Sequence, residues 1–212
     1  MSRPQIALVV HAIAAITALY FAVPALTQSL SRLGFFASLA LYWISFCLPV
    51  IAFHVWKRHD GRLFSERLAW RDWWVPGLLL VQVAVTGFVV FAPHTVMLTS
   101  NGALLAAATA VIHAPLLEAA WRGGFLTVFD NRPRLGFWLG WLLFTASYVP
   151  LGMSLGITLP GGWMALVAGA GLLGLLWSAI AWRTRSVFYL GIAHALTATL
   201  YLWVVYNGNG FV

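Results

Sequence analysis

Long apolar runs separated by short polar connections follow one another along the whole chain. Seven such runs can be drawn, each close to the roughly 20 residues that an α-helix needs to cross a bilayer. They cover residues 6–26, 34–56, 73–93, 103–129, 136–158, 163–182 and 186–206. The pattern predicts an all-α protein, a bundle of about seven transmembrane helices that forms one integral membrane domain.

The composition agrees with a multi-pass membrane protein. Hydrophobic residues make up 62% of the 212 residues and charged residues only 8%, and the mean hydropathy is +0.89. A soluble domain of this size needs more polar surface than that. The chain has one cysteine, Cys47, so a disulfide within the chain is excluded.

The net charge of +7 is explained by membrane topology. When seven crossings alternate, ten Lys and Arg residues fall on one side of the membrane and only Arg32 falls on the other. By the positive-inside rule, the N-terminus is expected in the cytoplasm and the C-terminus on the opposite side of the cell (inner or plasma) membrane. The cations are spread over separate connections without a recognition motif, so nucleic acid is not an expected partner.

Glu118 is an acidic residue inside a long apolar run. A charge at bilayer depth costs about 2.5–3.5 kcal/mol on insertion scales, and intramembrane ionisable residues are functional candidates by default. Arg122 follows four residues later, on the same helix face and in the order that favours an ion pair. The pair is interpreted either as a structural ion pair or as part of a site. Pro115 permits a break in this helix, which would fit a wet pocket open to the cytoplasm.

Tyr148 and His194 are expected at a depth similar to that of Glu118. Counting about 1.5 Å per residue from the predicted cytoplasmic helix ends places Glu118 about 18 Å, Tyr148 about 20 Å and His194 about 12 Å into the membrane. The three side chains could therefore meet in one layer. His194 is either a packing residue with a hydrogen bond to a neighbouring helix, or a base or oxyanion donor. Thr197 and Tyr201 extend a polar stripe along the same face.

No metal and no cofactor is expected. A zinc site needs about three protein ligands. His113 precedes Glu118 by five residues, which turns it about 140° away around the helix. His113 is therefore interpreted as a hydrogen-bonded packing residue.

Three short motifs follow one another in the second half of the chain. They read Pro115-x-x-Glu118-x-x-x-Arg122-Gly123, then Phe144-x-x-x-Tyr148-x-Pro-Leu-Gly, then Ala193-His194-Ala-Leu. Over roughly residues 100 to 205, the chain resembles the CAAX protease and bacteriocin-processing (CPBP) family of intramembrane endopeptidases, also called the Abi family. The resemblance implies a CPBP-like four-helix core at residues 100–206. Residues 1–99 then supply three N-terminal helices and a basic cytoplasmic loop at residues 57–72.

The match to the CPBP pattern is partial. The family pattern is Glu-Glu-x-x-x-Arg, then Phe-x-x-x-His, then His-x-x-x-Asn. It implies that the first glutamate and first histidine activate a water molecule, while the last histidine and the asparagine stabilise the oxyanion. The matching positions are Glu118, Arg122, Phe144 and His194. The positions that depart from the pattern are Leu117 for the first glutamate, Tyr148 for the first histidine and Ala198 for the asparagine.

These departures predict a protein that is catalytically impaired. Leucine accepts no proton, tyrosine with an ordinary pKa near 10 is a poor base, and alanine donates no hydrogen bond. The expected function is that of a pseudoenzyme that binds a transmembrane or lipidated protein segment. It would act as a scaffold or as an accessory subunit of a larger membrane complex.

Two alternatives remain open. The first is an active intramembrane endopeptidase, CAAX-type or bacteriocin-processing, that uses Glu118 as base and Tyr148 and His194 as donors, with Thr197 or Tyr201 replacing the asparagine. Arg122 would then complete the catalytic set. The second is a small transporter, which is less favoured because the chain offers few intramembrane ionisable groups for an ion pathway.

Overall fold

The protein is a bundle of membrane helices. The computed structural model describes residues 1–56 and 62–212, and within these ranges it contains helices and no strand. Seven of the described helices are long and apolar enough to cross a membrane. They are α1 (Arg3–Leu30), α2 (Arg32–Val55), α3 (Trp70–Met97), α4 (Ser100–Val128), α5 (Pro133–Gly152), α6 (Gly162–Thr184) and α7 (Phe188–Gly208). The predicted all-α bundle of about seven membrane helices is confirmed.

The helix bounds differ from the predicted segments mainly in α5, which ends six residues before the predicted residue 158. The chain leaves the helix at Gly152, and Gly156 has a φ of +73°, a left-handed conformation that glycine adopts without steric cost. Of the predicted basic loop at residues 57–72, positions 57–61 lie outside the described residues. Arg62–Phe64 forms a short 3₁₀ turn, and Trp70 begins α3.

α4 and α7 form the most extensive helix pair. Near their ends, the Asn207 side chain accepts a hydrogen bond from the Thr99 backbone N–H at 2.9 Å, and the Trp203 indole donates to the Thr99 carbonyl at 2.9 Å. α3 packs along α7, α6 packs along α5, and α1 packs on α2. α4 is the most buried of the seven helices, and Thr109, His113, Glu118 and Arg122 on it are buried inside the bundle.

Two ion pairs connect the helices at one end of the bundle. Arg183 at the end of α6 donates to Asp72 in α3 at 2.5 Å, and Arg185 pairs with Asp130 between α4 and α5. We call this the basic end, because the arginine-rich connections meet there. The other end, which we call the opposite end, carries the α1–α2, α3–α4 and α5–α6 connections.

Candidate functional site

Glu118 lies where α4 changes its helical geometry. α4 is α-helical from Ser100 to Leu117, π-helical from Glu118 to Gly123, and α-helical again to Val128. Pro115 has no backbone N–H, so the helix loses one of its hydrogen bonds one turn before the change. π-helical insertions in α-helices are frequent at functional sites. The same π-helical geometry also occurs at Trp43–Cys47, Ile51–Val55 and Gly87–Phe91, so the contacts of Glu118, and not the backbone alone, define the candidate site.

The Glu118 carboxylate is held between two helices. Its Oε1 accepts a hydrogen bond from Arg122 Nη1 at 3.1 Å and another from His194 Nδ1 at 2.7 Å. The exposed fractions of the three residues are 0% for Glu118, 2% for Arg122 and 4% for His194. A buried ion pair needs additional hydrogen bonds of this kind to offset the loss of hydration. The second oxygen, Oε2, is buried without a hydrogen-bond partner among the described residues.

Arg122 links α4 to α5 and α6. Its Nη2 donates to the Gly174 carbonyl at 3.2 Å, and its guanidinium carbon lies 3.8 Å from the centre of the Phe144 ring. The Trp177 ring is 5.7 Å away on α6. Cation–π contacts strengthen when they are shielded from water, as here. One arginine therefore holds three helices and the Glu118 carboxylate in a fixed arrangement.

The close approach of α6 to this arginine depends on Gly174. A Cβ atom added there would lie 2.7 Å from Phe144 Cδ1 and 3.2 Å from Arg122 Nη2. We expect Gly174→Ala to lower the free energy of unfolding by about 1–3 kcal/mol, because a well-packed core must shift to admit the methyl group. Chemical unfolding in detergent measures the change. Gly169→Ala on the same helix is the control, since its Cβ meets nothing within 4 Å. Equal stability of the two variants would contradict this packing.

His194 forms part of the wall of a cavity. Its ring packs against Trp177 in a tilted arrangement with centroids 4.4 Å apart, and the Trp177 indole donates to Gln82 Oε1 at 3.3 Å. Gln82 in turn donates to Thr197 Oγ1 at 3.0 Å. A carboxylate at Nδ1 favours the tautomer with its proton on that atom, which leaves His194 Nε2 as a hydrogen-bond acceptor. By accepting a hydrogen bond from Nδ1, Glu118 therefore makes the other ring nitrogen of His194, Nε2, a hydrogen-bond acceptor.

The cavity has a volume of about 420 Å³ and runs from the His194 layer toward the opposite end of the bundle. Leu159 and Pro160 of the α5–α6 connection line its far part. Its polar lining residues are Thr86, His113, Tyr148, Trp177, His194, Thr197 and Tyr201, and the others are apolar. The sequence suggests a wet pocket open to the cytoplasm, next to the basic connections. The observed cavity is mainly apolar and extends away from the basic end of the bundle.

Residues 99–200 match the family described as type II CAAX prenyl endopeptidase, Rce1-like. Over this range, slightly less than half of the chain, the sequence is similar to the Rce1-like family. The match runs from the residue before α4 to Leu200 in α7 and contains all three motifs of the CPBP resemblance, which is thereby confirmed. No curated protein and no solved structure matches the chain.

Within the Rce1-like region, the structure divides the predicted site residues into two groups. Glu118, Arg122 and His194 are joined by hydrogen bonds. Tyr148, Thr197 and Tyr201 line the cavity together with His194, whereas Glu118 and Arg122 do not line it. The Tyr148 ring packs against Phe144 with centroids 5.2 Å apart, and the Tyr201 hydroxyl is buried without a partner among the described residues.

Sequence reasoning missed Gln82 and Trp177, which shape the site, and it named His113 only as a packing residue. Gln82 is the one amide in its apolar run, a signal that could have singled it out. Trp177 is one of twelve tryptophans, and nothing in the sequence distinguishes it from an interfacial anchor. His113 accepts a hydrogen bond from the Trp43 indole at 3.0 Å, as a packing residue does, but its ring also lies 6.0 Å from that of His194. Among the described residues, no group of three or more His, Cys, Asp or Glu could hold a metal ion.

Proposed function

We propose that this Rce1-like membrane protein binds a lipidated or transmembrane protein segment in its cavity and does not hydrolyse it. The protein would serve as a scaffold or as an accessory subunit of a membrane complex. The observation that carries the proposal is the position of Glu118. Its carboxylate faces Arg122 and His194 and is not part of the cavity wall. A general base must come within hydrogen-bond reach of the water that it activates.

The three departures from the CPBP pattern support the same proposal. Leu117, at the position of the first glutamate, is fully buried in the core. Tyr148 and Ala198 line the cavity, where the pattern has a histidine and an asparagine. Tyrosine is a poor base at neutral pH and alanine cannot donate to an oxyanion. The cavity keeps space for a ligand, while the glutamate and the histidine that activate water in the CPBP pattern are absent from its wall.

Filling the cavity should weaken binding without disturbing the helix packing. Gly169 lines the cavity, and a side chain added there points into open space. In phosphatidylcholine vesicles, we expect Gly169→Phe to weaken the binding of a fluorescent prenylated CAAX peptide by at least about ten-fold, or 1.4 kcal/mol. Fluorescence anisotropy measures the affinity. Gly77→Phe is the control, because Gly77 also has open space around its Cβ and does not line the cavity. Unchanged affinity in Gly169→Phe would overturn the proposal.

One observation favours an active endopeptidase as the second candidate. His194 lines the cavity while its Nδ1 lies 2.7 Å from Glu118 Oε1. In this arrangement the catalytic roles differ from those expected from the sequence, where Glu118 is the base. His194 would be the base, and Glu118 would orient the His194 ring. Tyr148 would remain the donor in the cavity wall. Hydrolysis of a prenylated CAAX peptide by the wild type, compared with Glu118→Gln, separates the two candidates.

We propose that the basic end faces the cytoplasm, with the N-terminus inside and the C-terminus outside the cell membrane. The support is the arginine-rich connections that gather at this end. Cys47 is fully buried, so a cysteine introduced at Ser2 or Val212, both exposed, can be labelled selectively. With a membrane-impermeant maleimide, we expect Val212→Cys to react in intact cells and Ser2→Cys only after permeabilisation. The reverse pattern would contradict the orientation.

A further inference from the structure

The cavity reaches the lateral surface of the bundle. Val85 and Val89 on α3 and Leu172 on α6 line it, and their exposed fractions are 56%, 64% and 72%. α3 packs along α7, and α6 packs along α5. Nearer the basic end, a hydrogen bond from Trp177 on α6 to Gln82 on α3 joins the two helix pairs. Farther toward the opposite end, the cavity separates α3 from α6 and opens between them.

The surroundings of this opening are the hydrocarbon chains of the bilayer. The exposed lining residues belong to two membrane helices, Trp70–Met97 and Gly162–Thr184. The outer part of the cavity, where Val85, Val89 and Leu172 line it, does not attract water, since a buried water needs two to four polar partners. A hydrocarbon chain can move from the bilayer into such a cavity without losing contact with apolar groups. The occupant of the outer part is therefore a lipid chain.

The inner end of the cavity offers uncharged hydrogen-bonding groups. His194 Nε2 is an acceptor in the tautomer that Glu118 favours, and no hydrogen bond occupies the Tyr148 hydroxyl among the described residues. The nearby charges of Glu118 and Arg122 neutralise each other behind the wall. Placing a phosphate here would bury an anion without a cation, at a large cost. A hydroxyl group suits the site, because it donates to histidine and accepts from tyrosine.

We infer that the cavity binds a single-chain lipid with an uncharged hydroxyl head, of the long-chain alcohol class, which enters laterally between α3 and α6. The hydroxyl donates to His194 Nε2 and accepts from Tyr148, while the chain extends toward the opposite end of the bundle. The inference rests on the proposed function in one respect, namely that the cavity is the ligand site. It adds the class of ligand and the route of entry.

Photolabelling tests the route. The wild-type protein is placed in phosphatidylcholine vesicles with a trace of hexadecanol carrying a diazirine on its chain, and labelled residues are mapped by mass spectrometry. We expect the label on Val85, Val89 and Leu172, reduced at least about ten-fold by Gly169→Phe and unchanged by Gly77→Phe. Label spread over all lipid-facing helices and insensitive to Gly169→Phe would overturn the inference.

Variation of the head group tests the chemistry. The methyl ether of the same probe cannot donate to His194, and loss of one hydrogen bond is expected to reduce labelling about five-fold. Tyr148→Phe, which keeps the ring on Phe144, is expected to reduce labelling by the alcohol by a similar factor. A hexadecyl phosphate probe that labels as strongly as the alcohol would overturn the head-group assignment. Cavity labelling by the alcohol without binding of the prenylated peptide would overturn the proposed function and leave this inference standing.

Discussion

Replacing Arg122 by leucine is expected to lower the free energy of unfolding by about 3–5 kcal/mol, because it leaves the buried Glu118 carboxylate without its cation. The same change removes the hydrogen bond to the Gly174 carbonyl and the contact with Phe144 at 3.8 Å. Arg122 is 2% exposed, so water cannot replace these interactions. Chemical unfolding in detergent, followed by tryptophan fluorescence, measures the loss.

Two further variants test whether the loss of stability in Arg122→Leu comes from the unpaired buried charge. The double variant Glu118→Leu/Arg122→Leu is expected to recover much of the loss, since replacing both members of a buried pair is often neutral. Arg185→Leu removes a cation from the pair with Asp130, in which both side chains are exposed, by 46% and 68%. Exposed pairs are worth about 0–1 kcal/mol, so this variant is expected to stay near the wild type. Arg122→Leu as stable as Arg185→Leu would show that Glu118 needs no partner.

The sequence predicts the helices well because membrane helices are recognisable by length and polarity alone. Each of the seven apolar runs became a helix, and the largest difference in bounds lies at the end of α5. There, residues 153–158 are apolar enough to continue the run, but glycine and the following proline favour a turn. Hydropathy measures whether a segment can lie in lipid, and it does not measure where the backbone leaves the helix.

The site is less predictable from sequence, because its parts come from different helices. The Glu118 and Arg122 contact follows from their i,i+4 spacing on one helix. The Glu118 and His194 hydrogen bond depends on how α4 and α7 are rotated, and helices that are apolar on all sides carry little information about rotation. The π-helical segment changes the direction of Glu118 further. Counting residues along the helices predicted that Glu118 and His194 lie at a similar depth. It could not predict the hydrogen bond between them.

The location of the cavity could not be predicted from the sequence either. Pro115 and the buried charges suggest a pocket on the cytoplasmic side, and these residues do lie beside the cavity's inner end. The cavity itself is lined by residues of α3, α6 and α7 and extends to Leu159 and Pro160. Its location is a property of helix packing between distant segments. No local pattern of the sequence encodes it.

The second large effect concerns catalysis. We expect the wild-type protein to hydrolyse a prenylated CAAX peptide no faster than empty vesicles do. Loss of a general base typically costs 10²–10⁴-fold in rate, and loss of an oxyanion donor costs about 10²–10³-fold. Leu117 and Tyr148 replace the water-activating pair, and Ala198 replaces a donor. Together these losses predict a rate at least about 10⁴-fold below that of a complete centre.

The most direct measurement follows the same prenylated peptide while it is bound in the cavity. Mass spectrometry compares vesicles that contain the wild type, Glu118→Gln, and the control Glu66→Gln, which changes an exposed glutamate in the α2–α3 connection. A binding protein without peptidase activity returns the intact peptide in all three samples. Cleaved peptide from the wild type and from Glu66→Gln, but not from Glu118→Gln, would contradict the proposed function and identify an active endopeptidase.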